Sequence, residues 1–309
     1  METQNTYNLF ERFNHWIKES VTIKLTSIGF LVLILLIPSS WIARLMEERQ
    51  SRAVQVMDEV AEKWSEQQTL AGPVLIIPYK RVEKIDKGNG GVEIREIIDK
   101  AFFLPENLLI TGNVNPQVLH RGIFDAVVYE SDLFLNSVFS RPDFKSLNVT
   151  EDKVLWQDAK LVFGLTDLRG ITDTPALKVG GVALNAEPTN SQGVWFTGQN
   201  NAVSDQNSNS TQSSDGIVAK LGWNGVDDFK GDVTLTLPLK GSSQLYFVPL
   251  GKTTEVKLTG LWSNPSFDGE FLPSSRSISE TDFQANWKIL HFNRPFSQQW
   301  TGDGETLAH

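Results

Sequence analysis

Two hydrophobic periods divide the chain. Between Lys24 and Arg44 lie nineteen uncharged residues, LTSIGFLVLILLIPSSWIA. As a helix they extend about 28 Å, close to the thickness of a bilayer's hydrocarbon core. A core helix of a soluble protein would show polar residues every third or fourth position, and none occurs from Ile28 to Ile37. Trp41 sits where interfacial aromatics belong, and Lys24 can snorkel at the other end. The run predicts a transmembrane helix over 25–43 that contacts the lipid bilayer, preceded by a cytoplasmic segment, 1–24. A cleaved signal peptide would need small residues at the last and third-last positions before the cut. Cutting after Ala43 places Trp41 there and cutting after Ser40 places Pro38 there, so an uncleaved anchor is expected.

Past the span, Ile42, Leu45, Met46, Ala53, Val56, Val60 and Trp64 keep a helical spacing. Glu48 with Arg52 and Glu59 with Lys63 stand four apart in the favourable order. This predicts a helical stalk over 44–71, ended by Gly72-Pro73, whose apolar stripe packs on the chain's own next domain.

From Pro73 the period becomes two. Val233, Leu235, Leu237 and Leu239 alternate with Thr234, Thr236, Pro238 and Lys240, and Val256 and Leu258 alternate with Glu255, Lys257 and Thr259. Lys87-Gly88-Asn89-Gly90-Gly91 joins Val74–Ile85 to Val92–Leu104 as a hairpin. Further strands are predicted at Ile123–Tyr129, Val154–Leu165 and Ala176–Leu184, and tight turns at Asn224-Gly225 and Asp268-Gly269. Half-polar strands suit antiparallel sheets with one face on a core. The fold class is therefore mainly β: a transmembrane helix, a helical stalk, then an antiparallel β-sandwich-like extracytoplasmic domain over 72–309. Residues 198–216, with one valine and no aromatic, read as a mobile polar loop.

Charge and composition narrow the function. The net charge of −9 argues against nucleic acid as a partner, which calls for a basic stripe. Residues 1–43 hold three basic and three acidic groups, so the whole excess lies beyond the span; an acidic bulk behind one start anchor is expected outside the cytoplasm. The absence of cysteine removes disulfide scaffolds, thiolate metal sites and cysteine nucleophiles.

The search for chemistry returns little. The chain contains no G-x-S-x-G, phosphate-loop, H-E-x-x-H or calcium-loop pattern. His120 and His291 read as local hydrogen-bonding residues, and Asp125, Asp158 and Asp167 as solvated or salt-bridged acids. No catalytic residue, cofactor or metal ligand is expected. Nine tryptophans fit a broad two-sheet core; the sharper alternative is an extracytoplasmic glycan-binding or glycan-processing module with exposed rings. A carboxylate hydrolase ranks last.

One ordered set of residues is more specific. It runs from Gly72-Pro73 and Ile77-Pro78 through Arg121-Gly122-Ile123-Phe124, Tyr129, Trp156 and Leu165-Thr166-Asp167-Leu168-Arg169-Gly170-Ile171. It continues with Gly241-Ser242, Phe247-Val248-Pro249 and Trp262-Ser-Asn-Pro265-Ser-Phe267-Asp-Gly269-Glu-Phe271-Leu-Pro273, then Trp287 and Asn293-Arg294. In this order the chain resembles the CreD family of inner-membrane proteins associated with cell-envelope integrity. The resemblance implies a bacterial inner-membrane location, a link to stress-responsive signalling, no established reaction, and structural or contact roles for these residues. It also implies several C-terminal membrane helices, which this sequence lacks; a fragment, a truncated product or a shortened relative is expected. The leading expectation is a non-enzymatic, single-span envelope integrity protein, its bulk in the periplasm and its envelope partner unidentified.

Overall fold

The computed structural model describes residues 21–86, 92–190 and 215–302. His15, His309, Trp195, the turn at 87–91, residues 198–214 of the polar run and residues 1–20 of the N-terminal segment lie outside the described residues. The contacts divide the chain into two units, Met1–Val56 and Met57–His309.

The first unit holds most of helix α1 (Val21–Trp64). Its apolar side chains from Leu25 to Met46 stand exposed among the described residues, and the helix is long and apolar enough to cross a membrane. Pro38 lies inside it. Glu48 and Arg52 form the expected pair at 2.7 Å, whereas Glu59 pairs with Arg121 at 2.7 Å rather than with Lys63. The helix ends at Trp64, earlier than the sequence suggested. Residues 68–71 instead enter the first strand, because Leu70 and Ala71 pair with Leu165 and Gly164 and bury completely. Gly72-Pro73, read as a helix stop, falls inside that strand at a bulge.

The second unit is built from fifteen described strands in two sheets. The first sheet contains β1 (Gln68–Asp86), β2 (Val92–Phe103), β5 (Lys160–Leu165), β8 (Glu187–Asn190), β9 (Asp215–Lys220), β11 (Leu245–Phe247) and β15 (Gln299–Thr301). Its order is β15-β2-β1-β5-β9-β8, with β11 lying parallel to the start of β1. The second contains β3 (Asn107–Arg121), β4 (Phe124–Val138), β6 (Ala176–Val179), β7 (Val182–Leu184), β10 (Asp232–Ser242), β12 (Thr253–Gly260), β13 (Ser275–Ile278) and β14 (Phe283–Leu290). Its order is β13-β14-β12-β3-β4-β10-β6-β7.

The period-two reading explains this layering. In β10, Val233, Leu235, Leu237 and Leu239 are all buried while Thr236 faces out, as a half-covered strand requires. Most pairs are antiparallel, but β12 runs parallel to β3, from Thr253 opposite Asn107 to Gly260 opposite Val114. Aromatic rings bridge the interior: Phe103 meets Phe144, Phe144 meets Trp156, and Trp223 meets Phe229, all edge-on at 5.2–5.6 Å. Trp300 stacks on Phe102 at 5.1 Å.

Candidate functional site

The residues singled out in the sequence fall into three places. The first is the root of the domain, where α1 gives way to β1. The last turns of the helix lie on the β3–β4 hairpin, with Val60 and Trp64 against Leu119, Ala126 and Val128. Arg121 at the hairpin tip holds Glu59, and Gly122 turns the tip at φ +66°, a conformation that favours glycine.

Asp167 organises the root. It precedes a single 3-10 turn, Leu168–Gly170, and caps it by accepting the Arg169 backbone N–H at 2.9 Å. The same oxygen accepts Arg169 Nε at 2.9 Å. Its other oxygen accepts Ser65 Oγ at 3.0 Å and the Glu66 N–H at 3.1 Å. Gln68 Nε2 donates to Ser65 Oγ and to the Asp167 carbonyl, both at 2.9 Å. Ser65 and Gln68 are completely buried and Asp167 nearly so. Burial alone would raise the Asp167 pKa; the Arg169 hydrogen bond, then the backbone donors and Ser65, outweigh it and hold the carboxyl below its ordinary value. Asp167 in turn raises the Arg169 guanidinium's pKa. A carboxylate with four donors in place is ionised and occupied, which suits a structural keystone and not a proton donor.

Arg169 extends the network to the helix, donating Nη1 to the Glu62 carbonyl at 2.9 Å and Nη2 to Glu66 at 3.2 Å. Helix C-termini leave their last carbonyls unpaired and favour cations; Arg169 meets both needs. Lys240 Nζ lies 5.0 Å from the centre of the Trp64 ring. The backbone packs close at the root: a Cβ on Gly170 would strike Gln68 and the Lys240 carbonyl, and one on Gly241 would strike the Tyr129 hydroxyl. Tyr129, buried in β4, donates to the Gln244 carbonyl at 2.9 Å, and burial pushes its pKa up.

The second place is the corner after β12. Trp262 is half-buried, and its Nε1 donates to the Asn264 carbonyl at 2.9 Å. Phe267 packs edge-on against Phe283 and Trp287 at 6.1 and 5.6 Å. Trp287 donates to the Phe271 carbonyl at 3.1 Å. Pro265 and Pro273 punctuate an extended path, and Gly269 turns it at φ +105°. The third place is interior. Trp156 lies in the aromatic core, and buried Arg294 donates to the carbonyls of Phe296 and Ser297 and to the Gln298 side chain. Gln298 then donates to the carbonyls of Leu104 and Pro105.

The three aspartates do not converge. Asp125 meets His120 at 2.6 Å in an exposed pair, Asp167 closes the root, and Asp158 sits in its own 3-10 turn. Among the described residues no group of three His, Asp or Glu side chains has the arrangement to hold a metal ion. The described tryptophans of the β domain are buried or half-buried rather than lining one groove.

The family model for Inner membrane protein CreD matches residues 20–309. The chain belongs to the CreD family. It is 30% identical over 283 residues to Inner membrane protein CreD of Escherichia coli strain K12, covering 92% of this chain and 58% of that protein. No solved structure matches. The segment Leu165–Ile171, which carries part of the resemblance, lies at the root. Sequence reading missed that segment's partners: Ser65, Gln68, Glu62 and Lys240 lie 65 or more positions from it. The one local signal was the polar Ser65-Glu-Gln-Gln68 stretch between helix and strand.

Proposed function

We propose that this chain is an envelope integrity protein anchored in the inner membrane by residues 25–43. Its β domain stands on the extracytoplasmic side and acts through structural or partner contacts instead of catalysis. The observation that carries the reading is the root: the buried carboxylate of Asp167 spends its acceptor capacity tying Ser65 and Glu66, just past the helix end, to the 3-10 turn after β5. Chemistry that joins a membrane-capable helix to a β domain is what an anchored envelope protein needs. Membership in an inner-membrane family and the acidic excess beyond residue 43 support the same orientation.

Fusions after residue 309 test the topology. Alkaline phosphatase at that junction is expected to be active, and a cytoplasm-only fluorescent reporter dark; a bright reporter overturns the orientation. A soluble species beginning near residue 44 would overturn the anchor.

A further inference from the structure

The β1–β2 hairpin outgrows the sheet that carries it. On one side β1 pairs with β5 from Leu70 to Ile76, with one isolated bridge at Tyr79. On the other, β15 pairs with β2 only from Ala101 to Phe103. The two strands nevertheless keep their register from Lys80 opposite Ile98 to Asp86 opposite Val92. Among the described residues no third strand pairs with this stretch, so it is a two-stranded ribbon, an arrangement only marginally stable by itself in water.

Directly opposed residues of an antiparallel pair share a face. One face of the ribbon therefore carries Lys80, Val82 and Lys84 from β1 against Ile98, Glu96 and Ile94 from β2. Val82 is 47% exposed, and Ile94 and Ile98 are each 68% exposed. Val82 is the diagonal neighbour of both isoleucines, so the three form one bare apolar triangle. Lys80 meets Glu96 at 3.3 Å, and Lys84, exposed beside Ile94, has no ion pair among the described residues.

This face is complementary to itself. Under a half-turn about an axis parallel to the strands, β1 of one copy lies over β2 of the other. Val82 then stands level with the gap between the second copy's Ile94 and Ile98, and Glu96 with the gap between its Lys80 and Lys84. Apolar meets apolar and each carboxylate meets two ammonium groups. An anionic lipid surface would instead leave Glu96 facing phosphates. Three side chains present on the order of 300 Å², short of the roughly 800 Å² per partner of a freestanding complex. Chains held in one bilayer need less, because confinement raises their effective concentration.

We propose that the outer β1–β2 ribbon is a self-association surface on which two copies anchored in one bilayer pack Val82, Ile94 and Ile98 face to face, an inference that rests on the anchored reading above.

The full chain contains no cysteine, so Ile98→Cys introduces a single thiol. This variant and Thr236→Cys, exposed on the second sheet, are reconstituted in phosphatidylcholine vesicles, washed with alkaline carbonate and treated with a short membrane-permeant bismaleimide. A dimer yield about tenfold higher for Ile98→Cys supports the surface when adding Ile94→Asp returns it to the Thr236→Cys level, since a carboxylate buried in the triangle costs at least a tenfold step in association. Lys84→Glu is expected to lower the yield as well. Both side chains are exposed, so each variant is expected to keep the Tm of its parent; if Ile94→Asp lowers Tm, Lys84→Glu alone decides. Equal yields at the two thiols, or a yield that neither substitution lowers, overturns the pairing and leaves the anchor standing. Chain released by the carbonate wash overturns the anchored reading and the pairing with it.

Discussion

Arg169 reaches back 107 positions to donate a hydrogen bond to the carbonyl of Glu62 at 2.9 Å. Through this contact a loop at the end of β5 closes the last turn of α1, and Asp167 fixes the guanidinium that makes it. Truncating Asp167 to alanine leaves Ser65, the Glu66 N–H and Arg169 facing a buried gap. Chemical unfolding of the full chain in detergent is expected to show a loss of about 2–4 kcal/mol, the range for emptying one side of a buried, charge-assisted network. Asp167→Asn is expected to be nearly as costly, because its amide brings donors against donors. A loss below about 0.5 kcal/mol, typical of unconstrained surface sites, would show that the root does not need the carboxylate.

The same carboxylate sets a pH dependence. Its folded-state pKa lies below the unfolded value of about 3.9, so its contribution is complete above that value and is lost as pH falls through the folded pKa. Thermal stability between about pH 6 and about pH 2.5 is expected to fall more steeply for the wild type than for Asp167→Ala, with the two curves converging at the acid end. Parallel curves would assign the acid sensitivity to other groups.

The tryptophans separate by depth. Trp156 is 6% exposed and ringed by Phe144 and Trp223, so Trp156→Ala is expected to cost about 3–5 kcal/mol. Trp262 is half-exposed and satisfies its indole within its own loop at Asn264, so Trp262→Ala is expected to cost only about 1–2 kcal/mol. Urea midpoints of the two variants check the order. The reverse ranking would make the corner after β12 a main element of the core.

What the sequence displayed follows from how local each signal is. The helix, the β1–β2 hairpin and the buried row of β10 were legible because period, turn residues and burial all lie within one segment. The helix end was misplaced since Leu70 and Ala71 take their conformation from Leu165 and Gly164, strand partners almost a hundred residues away. The parallel pairing of β12 with β3 has no local marker, for an alternating strand looks the same beside either neighbour. At the root, Asp167 reads as a solvated or salt-bridged acid; it is buried and paired with Arg169, and Ser65 and Gln68 lie 102 and 99 positions away. Their own neighbourhood shows only a polar stretch between helix and strand, which does not declare that they will be buried against it.

Gly170 offers a purely steric probe of that root. A methyl group there would lie 2.5 Å from the Lys240 carbonyl oxygen and 3.0 Å from Ser65 Oγ, and would also strike Gln68 Nε2. The carbonyl belongs to β10 backbone, and Ser65 and Gln68 have no exposed surface into which to withdraw. Overpacking of this kind costs about 1–3 kcal/mol, so Gly170→Ala is expected to lower the urea midpoint and to loosen the helix end, seen as faster amide exchange at Glu66 and Arg169. Gly225→Ala is the control: its φ of −173° is extended backbone, a Cβ there meets nothing within 4 Å, and the expected change is within about 0.5 kcal/mol. Equal midpoints for the two variants would mean that the Gly170 contacts yield without cost and that the root is looser than its hydrogen bonds indicate.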